Sequence, residues 1–201
     1  MVASTTRAVL AGFVAFLAAL PLQAQAIYLS ESGDTAKLVG PIVPGDEKIF
    51  AEFLAQPRPK PIRVLYLDSF GGGVDSGIAI ARMVRKAKLV TALDAVANRC
   101  VSACTLIFAA GVKRHNVHGE QVEEGYNSAS GLGYHTAYFK GDLVHFATRS
   151  DKGADMMNKL YAEMGSPGAA GLAARGRGSS IYHPSGATSL ALKIATSLAE
   201  P

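Results

Sequence analysis

The chain has 201 residues, 49% of them hydrophobic and 18% charged, which suits one globular domain with a sizeable core and leaves little room for a second. Its formal net charge is +4, with Lys and Arg scattered along the chain, so no nucleic acid or other strongly charged partner is implied. The one dense basic group, Arg175 and Arg177 among Gly, Ala and Ser, reads as a solvated loop.

The N-terminus carries a compartment signal. Arg7 precedes an apolar run over residues 8–22 that ends in Ala24-Gln25-Ala26, the charge, apolar stretch and small-x-small site of a secretory signal peptide. The run is too short and too rich in Ala to make a comfortable transmembrane helix. The expectation is a signal peptide over residues 1–26, cleaved to leave one domain over residues 27–201 in the periplasm or outside the cell, with no stable membrane span.

Strand-like and helix-like runs then alternate, a pattern that predicts an α/β fold with a mostly parallel sheet and flanking helices. The first strand covers residues 36–39 and closes on Gly40-Pro41-Ile42. Pro44-Gly45-Asp46 opens an amphipathic helix with Ile49, Phe50, Phe53 and Leu54 on one face. A buried-type strand at residues 62–67 runs into Gly71-Gly72-Gly73, and Asp75 is placed to cap the helix that continues to Lys86. A strand at 89–93 leads through Asn98-Arg99 to a short apolar helix from Ser102 to Ala110, stopped by Gly111.

Residues 115–130 show no sustained period and read as a loop or small excursion, with Glu120, Glu123 and Glu124 on a solvated edge. Residues 132–139 are strand-like, and 151–164 are helical with Met156, Leu160 and Met164 on one face. Residues 165–180 read as a flexible connection, and a last helix begins near Ser185 with Leu190, Ile194 and Leu198.

The two cysteines, Cys100 and Cys104, would lie in an oxidising compartment if the chain is exported. Residues four apart in a helix hold their Cβ atoms about 5–6 Å apart, whereas a disulfide needs roughly 3.8 Å. A bridge therefore requires Cys100 to lie ahead of the helix; otherwise these are two small buried thiols.

Three features suit acyl transfer. The Gly71-Gly72-Gly73 turn offers backbone N–H groups that a substrate oxygen can approach closely. Ser102 opens an apolar helix, where unpaired N–H groups and the helix dipole favour negative charge, and the N–H of Ala103 can serve the same oxyanion. His135 has the basicity to take a serine proton at neutral pH. Each has a plainer reading: a tight turn, a helix N-cap, a structural histidine.

The segment from Val64 to Gly77 resembles the strand, glycine turn and helix start of the Clp protease proteolytic subunit, whose pattern is an apolar strand, Asn-Ser-Pro-Gly-Gly, then a helix. Residues 98–111 match the family segment that holds the nucleophile, and Gly40-Pro41-Ile42 with Gly45-Asp46 is similar to its early strand-to-helix junction. The Cys-x-Ser-Ala-Cys setting and the signal peptide resemble exported relatives of that family.

The resemblance implies the spiral fold shared with crotonases, built of repeated ββα units, and an oligomer acting on a peptide or protein substrate without a cofactor or metal. It implies Ser102 as nucleophile, His135 as general base, and Gly71 or Gly72 with Ala103 as the oxyanion hole. This chain departs from the pattern at Phe70, which stands where the family has proline, and in the lengthened link from Ser102 to His135. No Asp follows Asp155, so the family's downstream triad aspartate has no counterpart. Asp142, Asp151 or Asp155 could orient His135, or a backbone carbonyl could do so.

Competing readings are a non-catalytic member of the fold, a Ser–Lys arrangement through Lys113, and a crotonase-type acyl-CoA enzyme. His115 and His118 lack zinc-site spacing to the cysteines.

Overall fold

The computed structural model describes residues 26–139, 148–176 and 180–201; the signal-peptide expectation and Asp142 lie outside them. Alternation along the strands builds the central sheet. Ala36 and Leu38 on one strand and Leu65 and Leu67 on the next are sealed from solvent, while their neighbours face outward. Strand β1 (Tyr28–Ser32) folds back antiparallel on β2 (Thr35–Val39), and β3 (Val64–Asp68) and β4 (Val90–Asp94) follow in parallel. The sheet ends on β6 (Arg114–Val117), giving the order β1-β2-β3-β4-β6.

A second, narrower stack stands beside it. Strand β5 (Arg99–Val101) pairs in parallel with β7 (Gly131–Gly133), and bridges Ile42–Gly72, Ser69–Cys100 and Tyr134–Tyr182 extend the row. Each turn of the chain thus contributes a main-sheet strand, then a short rung of the second stack, then a helix. Ile42 precedes α1 (Asp46–Ala55), Gly72 precedes α2 (Val74–Lys86), and β5 precedes α3 (Ala103–Ala109). The rest comprises β8 (Tyr138–Phe139) paired with β9 (Thr148–Arg149), and helices α4 (Asp151–Glu163), α5 (Gly168–Ala173) and α6 (Gly186–Ala191). This is the expected α/β spiral with a mostly parallel sheet.

Helix α3 is the hub of the core. All seven of its residues are buried, and burying Leu106, Ile107 and Phe108 stabilises the fold by about 1.5–3 kcal/mol each. Helix α2 crosses it closely at Gly77, where an added Cβ would lie 3.1 Å from the Ala103 methyl.

Several expectations need correction. Residues 115–130 are not merely an excursion, because β6 closes the main sheet there. Its polar side chains hid it: Arg114 donates to the carbonyls of Ile194, Gly111 and Lys193, and His115 bonds that of Ala199. The stretch 165–180 contains α5, which buries Ala169 and Leu172. Strand character after Leu132 runs through the Tyr134 bridge, breaks there, and resumes at Tyr138. Asp75 does not cap α2; Gly73 holds the N-cap position, and Asp75 lies in the first turn. On α1 Ile49 is exposed, and on α4 Met157 and Tyr161, not Met156, join Leu160 in the core. The last helix ends at Ala191, before Ile194 and Leu198.

Candidate active site

Ser102 sits at the junction of β5 and α3 with φ 56° and ψ −124°, a backbone conformation that a side chain normally avoids and that costs of order 1–3 kcal/mol. Its hydroxyl makes no cap bond to the helix it precedes, so the plain N-cap reading fails. The surrounding backbone holds it in place. The Ser102 N–H donates to the Gly133 carbonyl at 2.9 Å, and its carbonyl accepts from the N–H and hydroxyl of Thr105. Thr105 in turn meets the buried hydroxyl of Tyr161.

The cysteines bracket this serine. Cys100 lies on β5, ahead of the helix, and Cys104 on α3; the two form a disulfide, and both are fully buried. The bridge ties the strand before Ser102 to the helix after it.

The glycine turn lies against the same residues. At Gly71, φ is 83°, and an added Cβ would fall 2.3 Å from the Val101 carbonyl oxygen and 2.8 Å from both Ser102 Cβ and the Ala103 nitrogen. Only glycine allows the turn to approach this closely. The N–H of Gly71 already donates to Ser69 Oγ at 3.1 Å, which removes Gly71 from the expected oxyanion donors. Gly73 donates to the Ile42 carbonyl. Among the described residues the N–H groups of Gly72 and Ala103 have no protein acceptor, and the second opens a helix, where orphan donors are inherent.

His135 lies two residues beyond Gly133, whose carbonyl receives the Ser102 N–H. The half-buried ring stacks on Tyr138 at 5.7 Å. Its Nδ1 is 2.7 Å from the Thr136 carbonyl. A carbonyl only accepts, so Nδ1 carries the proton and Nε2 keeps its lone pair, the tautomer a general base needs. Burial holds its pKa below the usual histidine value, against the raising effect of that bond. Among the described residues no carboxylate touches His135, and no hydrogen bond joins it to Ser102.

A polar cluster joined to Tyr134, next to His135, comes from a place the sequence did not reveal. Glu124 is exposed, on the solvated edge expected of it, and accepts hydrogen bonds from the hydroxyls of Tyr182, Ser185 and Thr188. These bonds, that of Thr188 foremost, hold its pKa down at about 2. Arg175 donates to the Tyr182 hydroxyl at 2.6 Å and lies over that ring at 4.8 Å. The next residue, Gly176, packs on His135: an added Cβ there would lie 2.7 Å from the His135 Cα. Tyr182 also pairs through its backbone with Tyr134 on both sides.

A second histidine was overlooked. His183 is buried, its Nδ1 has no partner among the described residues, and the backbone of Leu132 and Ser130 engages the ring. Its Cε1 lies 3.1 Å from where a Gly133 Cβ would be, on the side of Gly133 that Val101 also covers. No local motif marks it, since its place beside β7 comes from pairing with Gly125.

Other sequence candidates lie elsewhere. Lys113 lines a cavity of about 350 Å³ with Thr35, Arg63 and Val90, at the strand ends remote from the glycine turn. His115 bonds Ala199, His118 meets Asp94, and the disulfide removes both cysteines from metal ligation.

No protein-family model matches the chain, and no curated protein does. Among solved structures, a membrane-bound stomatin-specific protease in point-mutant form superimposes with a TM-score of 0.57 over 82% of this chain and 78% of its own, at 11% identity. A point mutant of ClpP1 from Listeria monocytogenes gives a TM-score of 0.55 over 84% of this chain and 92% of its own, at 17% identity. The fold is that of the Clp protease proteolytic subunit. At these identities the Clp-type fold is what the two chains share with this one, and the chemistry rests on the residues above.

Proposed function

We propose that the protein is an exported serine hydrolase that cleaves peptide bonds through an acyl-enzyme on Ser102. The observation that carries this reading is the strained backbone of Ser102, held at φ 56° without a capping bond and facing a glycine turn that admits no side chain. Strain of this kind persists where a function requires it.

In the proposed reaction, Ser102 Oγ attacks the peptide carbonyl carbon while His135 Nε2 takes its proton. The N–H groups of Gly72 and Ala103 receive the oxyanion. The C–N bond breaks as the imidazolium returns the proton to the leaving amine, and water then releases the acid by the reverse proton path. The Thr136 carbonyl orients His135 in place of a triad carboxylate. It offers no full charge to the imidazolium, so turnover slower than that of a complete triad is expected.

Export is supported by the N-terminal charge and apolar pattern and by the Cys100–Cys104 disulfide, which suits an oxidising compartment. Among the described residues no helix is long and apolar enough to cross a membrane. The peptide substrate and self-assembly belong to the same proposal.

A fluorophosphonate probe tests it: Ser102 Oγ bonds to phosphorus, fluoride leaves, and the imidazole takes the serine proton. The processed protein should gain one adduct that maps to Ser102 and is absent from Ser102→Ala. A non-catalytic role for the fold is the second reading, favoured by the missing Ser102–His135 hydrogen bond. Lack of any adduct on the native protein would establish that reading instead.

A further inference from the structure

Asp46 is 1% exposed, and among the described residues no Lys, Arg or His forms an ion pair with it. A buried carboxylate left without a cation is costly. The N-terminus of α1 and the Val43 N–H, 2.6 Å from Oδ2, offset only part of this. The other oxygen, Oδ1, faces the backbone nitrogen of Ile27 at 3.4 Å in a buried setting. Ile27 is 5% exposed, while Ala26 before it is exposed. That nitrogen is the atom that a cut after Ala26 would free.

We propose that removal of the leader after Ala26 creates an α-ammonium on Ile27 that forms a buried ion pair with Asp46, so that processing completes the folded protein. The proposal rests on the export reading above and not on the chemistry of Ser102. Hydrolysis breaks the Ala26–Ile27 C–N bond, with water giving its hydroxyl to the Ala26 carbonyl and a proton to the nitrogen, which at neutral pH takes one more from solvent. A single peptide N–H becomes a cation with three donors, opposite the buried Asp46 carboxylate. The Ile27 side chain anchors the new terminus there.

The pair sits beside the glycine turn. Asp46 holds Val43, and its neighbour Ile42 accepts from Gly73 and donates to Gly71. The cut end is therefore connected through three residues of one loop to the turn that flanks Ser102.

The test uses the processed protein and three further chains: one that retains Ala26 ahead of Ile27, and Asp46→Asn in each of the two backgrounds. The chain starting at Ile27 should have an unfolding equilibrium constant roughly tenfold to a hundredfold smaller than the chain retaining Ala26, the range of a hydrogen bond to a buried charge. Asp46→Asn should erase that difference. In the Ile27 chain the α-amine should also react at least tenfold more slowly with an amine-acylating reagent than in the Ala26 chain. Equal stability and equal amine reactivity in the two unsubstituted chains would overturn the proposal. So would an exported protein whose first residue, read by terminal sequencing, is not Ile27. If Asp46→Asn fails to fold, the comparison of the two unsubstituted chains decides. None of these readouts uses Ser102, so a failed peptidase reading leaves them intact.

Discussion

Ser102 holds a conformation that glycine would adopt without strain, and this makes a separable prediction. Ser102→Gly should raise stability by about 1 kcal/mol in urea unfolding while removing all reaction with the probe. A serine that merely began a helix would show no such opposition, because its hydroxyl would be contributing a cap. Gly71→Ala should do the reverse: its Cβ would press on the Val101 carbonyl at 2.3 Å, and a loss of about 3 kcal/mol or more is expected on the same measurement. At His135 the sign of the pH dependence follows from burial. The base must be neutral, and desolvation lowers its pKa below 6.5. The labelling rate should therefore fall on acidification with a midpoint below about 6.5. A midpoint above about pH 7 would instead show an imidazole held charged by a carboxylate.

Between elements, the decisive join is that of β5 to α3, and the Cys100–Cys104 bridge spans it. A loop this short constrains the unfolded chain modestly, so replacing both cysteines by alanine should cost about 2 kcal/mol. Slower labelling is expected as well, since the strand and helix that hold Ser102 are then free to relax. How much of this was legible in the sequence differs from element to element. The glycine turn and α3 were readable because their signals are local: a run of glycines, then an unbroken apolar stretch. Strand β6 was not, because Arg114, His115 and Asn116 look like loop residues until residues 193–199 arrive to cover them. The same holds for Glu124, whose partners Tyr182, Ser185 and Thr188 lie far along the chain. Its carboxylate could be identified as structural only once those hydroxyls were seen around it.

For the whole molecule, the spiral explains why distant segments meet at one place. Each unit leaves the main sheet at the carboxyl end of a strand and crosses the second stack before its helix, so the glycine turn, Ser102 and the approach to His135 become successive rungs. The fold-level likeness to two Clp-type structures follows from that repeat and persists at 11% and 17% identity. Around His135 the Thr136 carbonyl bonds the ring and Gly176 packs on the backbone. The most direct measurement is the rate of fluorophosphonate labelling at Ser102 in the unsubstituted protein, in His135→Ala and in His183→Ala. Loss of the general base should slow His135→Ala by at least about a hundredfold, while His183→Ala keeps the unsubstituted rate. Equal rates in the unsubstituted protein and His135→Ala would contradict the account.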